Sequence, residues 1–394
     1  MNKNFFLIVL VAVLSLEGMA KVDYKTLHRQ SLVVDMHEDV LLQVKRGSDI
    51  SKRLDYGHVD LPRLMEGGVD VDFFAVWPNP ESAQQTSMFD QSMQLIDLLD
   101  QILKTNPDKI MLTRTPDEIM QAVNAHKIAA CIGVEGGTAI ENDLDKLRTL
   151  YKRGARYLSL TWNDSPDWAS SAKDETSNDY QGPRGLTDFG KTVILTMNKM
   201  GMMIDVSHSG EKTFEDVIAT TSKPIIASHS GVDGICPHYR NLSDKQLKQL
   251  KKNGGVVFVN FYPGYLQSGF EHKYQQVMDK SKAYLDSMRQ TFAGDYLAYR
   301  RFRAAYLNEQ IDSFRPPLSK IVDHMDYIIN LIGDDYVGLG SDFDGISITP
   351  KGIDDVSDMP EITRVMLERG YSEERIRKIL GGNFMRVFKA VVGE

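Results

Sequence analysis

Short apolar runs rich in β-branched residues recur along the chain, separated by stretches whose apolar positions follow helical spacing. The runs are Ser31–His37, Val69–Trp77, Ile128–Glu135, Ala155–Trp162, Met202–His208, Pro224–Ser230, Gly255–Tyr262 and Tyr336–Asp342. Helical spacing predicts helices over Gln91–Leu103, Leu144–Lys152, Asp188–Met200 and Lys212–Ala219. Strand and helix alternating in this way is the pattern of a parallel sheet built from βα units. Eight runs predict a closed α/β barrel of the (β/α)8, TIM-like kind. No linker breaks the alternation, so residues 21–394 are expected to form a single catalytic barrel domain.

Barrels of this kind carry their chemistry at the C-terminal ends of the strands, so the residues that end the runs test for function without any motif list. The first run ends in His37, with Asp39 two positions on; the third ends in Glu135, the fifth in His208, and the eighth in Asp342. His229 is the penultimate residue of the sixth. Residues i and i+2 of an extended chain point the same way, ~7 Å apart, so His37 and Asp39 can converge on one ion. Imidazole and carboxylate suit zinc. Glu135 precedes Gly136-Gly137, where the backbone is free to turn sharply and let the carboxylate bridge two ions. His208 and His229 then complete a second site. Asp342 is the expected general base, taking a proton from metal-activated water and returning it to a leaving amine, with Asp344 as the alternative.

Other polar residues have plainer readings. His58-Val59-Asp60 repeats the HxD spacing but follows no apolar run and enters Leu61-Pro62, so it is expected to be a structural loop. His28, His126 and His272 read as surface residues, His324 as lying away from the mouth, and His238, close to Arg240, as a neighbour of the site.

Composition narrows the partner rather than the fold. The 394 residues are 42% hydrophobic and 25% charged, with a formal net charge of -8 and no Lys/Arg run dense enough to neutralise many phosphates. No nucleic-acid partner is expected; a small molecule is. At the N-terminus, Lys3 precedes the apolar run Phe5–Leu16, which falls short of the ~20 residues that span hydrocarbon and is followed by the small-residue site Gly18-Met19-Ala20. Residues 1–20 are expected to be a cleaved signal peptide, leaving no stable membrane anchor and an exported protein, periplasmic or secreted in a bacterium. The two cysteines, Cys131 and Cys236, make no disulfide framework, and Cys131 reads as a buried thiol.

Taken together, several segments resemble the membrane (renal) dipeptidase family of amidohydrolase-like barrels. They are Val34-Asp35-Met36-His37-Glu38-Asp39, Ile132-Gly133-Val134-Glu135-Gly136-Gly137, Ile204-Asp205-Val206-Ser207-His208, Ser228-His229-Ser230, Arg240-Asn241, Val259-Asn260-Phe261-Tyr262 and Gly340-Ser341-Asp342-Phe343-Asp344-Gly345, in the family's order across almost all of the chain. Gly382–Val387 is similar to the family's last helix. The resemblance implies two Zn2+ per chain, one on His37 and Asp39, the other on His208 and His229, bridged by Glu135. It implies that Asp342 shuttles the proton and that Arg240 grips the terminal carboxylate of a dipeptide, with Tyr262 and Trp162 as further substrate-binding residues. A hydroxide bridging the zinc ions would attack the peptide carbonyl. Dipeptides are the expected partners, L-Xaa-D-Xaa pairs included, and a homodimer stays open.

Two departures stand out. Trp162, in Leu160-Thr161-Trp162-Asn163, replaces a His of the mammalian enzymes thought to contact the reacting carbonyl. A helical insert around 267–317, rich in Tyr, Lys, Arg and Glu, reads either as a solvated excursion or as a lid or subunit contact. Two rival functions remain: another binuclear amidase or lactonase on the same barrel, which a screen with blocked C-termini separates, and a non-catalytic binding protein, which a metal assay separates.

Overall fold

Each of the eight runs contains a strand of the computed structural model, which describes residues 23–393. The strands are β1 (Val34–Glu38), β2 (Val71–Val76), β3 (Ile110–Leu112), β4 (Ile128–Glu135), β5 (Ala155–Ser159), β6 (Met203–Asp205), β7 (Ile226–Ser230), β8 (Val256–Val259) and β9 (Val337–Leu339). All pair in parallel, in the order β1-β2-β4-β5-β6-β7-β8-β9. The short β3, which the run pattern does not foresee, lies off this path and pairs with the start of β4. The expected signal peptide lies outside the described residues.

The barrel closes at its mouth. At the C-terminal end of β1 and beyond that of β9, the Asp39 N–H donates to the Phe343 carbonyl at 2.8 Å and the Asp342 N–H to the His37 carbonyl at 2.9 Å. The segments that carry the candidate chemistry therefore also join the first strand to the last. Several runs outlast their strands: the tails Leu160–Trp162, Val206–His208 and Gly340–Asp342 leave the ladder and form the mouth loops.

Helices stand near the expected places, at Met88–Thr105, Leu144–Arg153, Asp188–Met200 and Glu211–Thr220. Their ends follow local chemistry. Ser87, Asp143 and Thr187 cap N-termini with side-chain oxygens, and Gly154 and Gly201 end helices in the left-handed conformation. The closing helix, Asn383–Val392, packs Phe384, Val387 and Phe388 against residues from the starts of the strands, among them Val34, Val71, Ala129, Met203 and Val256. It plugs the barrel opposite the mouth. Gly133 serves the interior: a β-carbon there would collide with the ring of Tyr157, which crosses the barrel towards His37.

The insert forms two helices, Phe270–Thr291 and Tyr296–Ile311, which bury only Phe270, Ser281 and Leu285, and Leu307 and Ile311. Tyr284, Phe292, Phe302 and Tyr306 pack between them, while Phe270 and Ile311 anchor their base to Ile348. Among the described residues, no helix is long and apolar enough to cross a membrane.

Candidate metal centre at the barrel mouth

Six side chains foreseen from the run ends meet at the mouth. His37 Nε2 lies 3.5 Å from Asp39 Oδ2 and 3.6 Å from Glu135 Oε2. The other Glu135 oxygen, Oε1, lies 3.0 Å from His208 Nε2 and 3.5 Å from His229 Nε2. Glu135 thus turns one oxygen to each histidine set, which is the geometry of a bridging carboxylate. His37, Glu135 and His229 form one group with ligand atoms within 4.8 Å of one another, and His37, Asp39 and Asp342 form a second. Asp342 thus falls within ligand distance of the His37 set, so its carboxylate could also hold an ion.

The residues fit a cation. His37 Nε2 is buried and has no hydrogen-bond partner. His208 Nε2 and His229 Nε2 face each other at 3.0 Å. Each ring is held from behind. The Ser228 hydroxyl donates to Asp205 Oδ2 at 2.7 Å, so it accepts from His229 Nδ1–H at 2.8 Å, and His229 Nε2 carries a lone pair. Asn163 Oδ1 accepts a hydrogen bond from His208 Nδ1–H at 3.2 Å, which leaves the lone pair on Nε2. The Tyr157 hydroxyl reaches His37 Nδ1 at 2.7 Å and donates to the Met36 carbonyl at 3.3 Å.

Electrostatics agree with the donor set. Burial, then the Arg240 charge, lowers the His208 pKa to about 4; burial, then the His37 and Arg240 charges, holds that of His229 well below the imidazole range. Both rings are neutral at neutral pH, as ligands must be. Burial opposes protonation of His37, but Tyr157, Glu135 and Asp39 beside it hold its pKa well above the ordinary value. The Asp342 carboxyl is pushed up to about 8 by burial and by the carboxylates of Asp39 and Glu135, against the opposing pull of His37. The Asp39 pKa is raised as well, chiefly by burial, whereas that of Glu135, despite its burial, is held well below its ordinary value by His37 and the other histidines; a divalent ion supplies the positive charge that Asp39 and Asp342 lack.

Backbone strain falls on the same residues. Among the described residues six non-glycine positions have positive φ, and His208 (φ 64) and Asp342 (φ 63) are two of them. Left-handed geometry costs ~1–3 kcal/mol at such a residue and persists where the surroundings enforce it. Gly345 makes room: a β-carbon there would collide with the carboxylates of Asp39 and Asp342.

Above the cluster opens a cavity of about 330 Å³, lined on one side by Trp77 and Trp162 and on the other by Arg240, Tyr262, Tyr265 and Glu271. The Trp77 and Trp162 rings lie 4.9 Å apart, and Trp162 stands 6.3 Å from the His208 ring. Arg240 is 2% exposed. Its Nη2 donates to the His229 carbonyl at 2.9 Å, while Nε and Nη1 have no partner. A buried guanidinium with two free donors calls for an anion.

The remaining residues sort as follows. Asp344 accepts from the His58 and Val59 N–H groups at 3.1 and 3.2 Å, and its own N–H donates to His58 Nδ1 at 2.9 Å. It is therefore tied to the His58 loop, whereas Asp342 stands with His37 and Asp39 in the cluster. Asp60 caps the helix Leu61–Gly67. His238 Nδ1 accepts from the Arg240 N–H at 3.1 Å, and Nε2 lies 3.4 Å from Glu271, so it contacts two residues of the cavity lining without lining the cavity itself. His126 and His272 are exposed. His28 is not a surface residue: it is fully buried, with Nδ1 2.8 Å from Thr363 Oγ1 and Nε2 2.9 Å from the Gly67 carbonyl, which satisfies both ring nitrogens. Cys131 and Cys236 are buried and unpaired.

Comparison with known proteins places this geometry. Residues 22–393 match the family model of membrane dipeptidase, peptidase family M19. Dipeptidase 3 of Mus musculus is 31% identical over 371 residues, covering 93% of this chain and 65% of that protein, so the chain spans about two thirds of the relative's length. A crystal structure of the metallopeptidase dipeptidase AC superposes with a TM-score of 0.75 at 26% identity, covering 92% of this chain and 99% of its own. A metallopeptidase from Rhodobacter sphaeroides, solved with a phosphinate mimic of the dipeptide L-Ala-D-Ala, superposes with a TM-score of 0.72 at 25% identity, covering 92% of this chain and 99% of its own. With its full described length accounted for in this way, the chain belongs to the membrane dipeptidase family.

Proposed function

We propose that the protein is an exported zinc dipeptidase that binds two ions bridged by Glu135 and hydrolyses dipeptides, L-Xaa-D-Xaa pairs among them. The observation that carries this reading is the pairing, in one cavity, of a split donor set around Glu135 with the free guanidinium of Arg240. Family membership and the dipeptide mimic bound by the Rhodobacter sphaeroides relative support it. Zinc ions, when bound, activate a water as nucleophile at neutral pH and polarise the scissile carbonyl.

The chain's own residues do the rest. Arg240 takes the substrate's terminal carboxylate on Nε and Nη1, which fixes where the peptide bond lies relative to the histidines. Trp77 and Trp162 wall the opposite side and exclude water from the first residue's side chain. Asn260 Nδ2 donates to Asp342 Oδ2 at 2.8 Å, which orients that carboxylate and leaves Oδ1 to exchange protons. As the water oxygen bonds to the carbonyl carbon, Asp342 takes the water's proton; as the C–N bond breaks, it delivers that proton to the departing nitrogen.

The test compares two enzymes on two substrates. Arg240→Ala should lose about two orders of magnitude in kcat/KM on a free dipeptide and little on its C-terminal amide. Equal loss on both would overturn the carboxylate clamp and favour a general amidase.

A further inference from the structure

A second chamber, of about 450 Å³, shares His208 and Arg240 as walls with the mouth cavity. Three carboxylates line it: Glu175, Glu211 and Asp233. Glu211 is paired with Lys245 at 3.2 Å. The other two are held by neutral donors. Glu175 accepts from the Ser170 hydroxyl at 2.5 Å and the Lys212 N–H at 3.1 Å, and Asp233 accepts from the His238 N–H at 3.3 Å. Among the described residues neither has a cationic side chain within 4.0 Å, although both line the chamber. Ser209, 7% exposed, also lines it, and its buried Oγ has no hydrogen-bond partner. An unpartnered hydroxyl and two carboxylates that lack a cationic side-chain partner, Glu175 resting on the first turn of the helix Glu211–Thr220, line one chamber as acceptors that a cationic donor would complete.

We propose that this chamber is the subsite for the side chain of the dipeptide's second residue, and that it selects an amine-bearing side chain such as that of lysine or ornithine. The inference rests on the dipeptidase reading. In the second residue the carboxylate and the side chain leave the same α-carbon, so a carboxylate held by Arg240 puts the start of the side chain beside the wall the two spaces share. The carboxylate offsets the guanidinium's charge, and the amine finds Glu175, Asp233 and Ser209 Oγ as acceptors for its three N–H bonds.

The test compares Ala-Lys with Ala-norleucine, which keeps the chain length and lacks the amine, each with the second residue in L and in D form and with zinc present. The lysine substrate should show at least a tenfold higher kcat/KM, expressed in KM. Glu175→Gln and Asp233→Asn should each reduce the ratio, and together bring it below two. Equal kcat/KM for the two substrates in the native enzyme would overturn the subsite, and needs no variant. A preference that survives both substitutions would also overturn it and move the amine to Glu271 in the mouth cavity. Loss of all dipeptide turnover with metal present would instead defeat the dipeptidase reading, and the subsite with it.

Discussion

At the floor of the barrel, Phe73, Phe258, Phe384 and Phe388 pack with Val71, Ala129 and Met203 in a dry cluster in which each side chain is buried and apolar. At the mouth, the same strands give way to His37, Glu135, His208 and His229, which are buried but carry facing lone pairs, an unpartnered nitrogen at His37 and left-handed backbone at His208. Within this cluster apolar pattern and packing agree, although Asp72, between Val71 and Phe73, is buried with neither carboxylate oxygen partnered. The mouth breaks the rules of stability at several adjacent positions, and the violations share one remedy, positive charge between the histidine sets. Departures from local consistency concentrated in this way mark a functional site more reliably than any single residue does.

The contrast can be broken from either end. His229→Ala should abolish turnover, by on the order of a thousandfold or more, and remove one metal ion per chain, with the metal-free fold intact by circular dichroism. Unfolding of that variant would show that the mouth histidines belong to the core. Asp342→Asn should lower kcat by about 10²–10⁴ with KM little changed, because the amide keeps the carboxylate's shape and cannot carry the proton. Strong metal loss in that variant would make Asp342 a ligand of the His37 set. Phe384→Ala should do the reverse: it should cost ~3–5 kcal/mol of unfolding free energy and leave kcat per folded molecule unchanged.

The smallest expected effect concerns pH. In the metal-free protein Asp342 and His37 have raised pKa values, so their protonated forms favour the fold, and that stability is lost as pH rises through the folded values. His208 and His229, with lowered values, act oppositely, but their contribution is complete above the ordinary imidazole pKa of ~6.5. The Tm of metal-free protein should therefore fall between about pH 6.5 and 8, and zinc should flatten the slope, because it binds the deprotonated ligands. A metal-free Tm that rises over that range would contradict the assigned charges.

Much of this was legible in the sequence because buried parallel strands are largely apolar, so that a histidine or carboxylate ending such a run stands out, even though Asp35, Asp72 and Arg156 lie within strands. That is why eight strands and the residues His37, Asp39, Glu135, His208, His229 and Asp342 could be named from the pattern, and why the three-residue β3 could not. The residues that orient the site were hidden for other reasons. Tyr157 reads as a core aromatic, and its contact with His37 spans 120 positions. Asn163 and Asn260 are ordinary loop polars until the fold sets them beside His208 and Asp342. His28 was misread because its partners, Gly67 and Thr363, come from distant segments that converge on a short N-terminal helix.

The central claim is that Glu135 joins two metal sites, and a metal titration tests it most directly. Chelator-stripped protein titrated with zinc should bind two ions per chain and regain dipeptidase activity as the second site fills, while Glu135→Ala should bind neither ion tightly. One ion per chain at saturation, or full activity in the metal-free protein, would contradict the account.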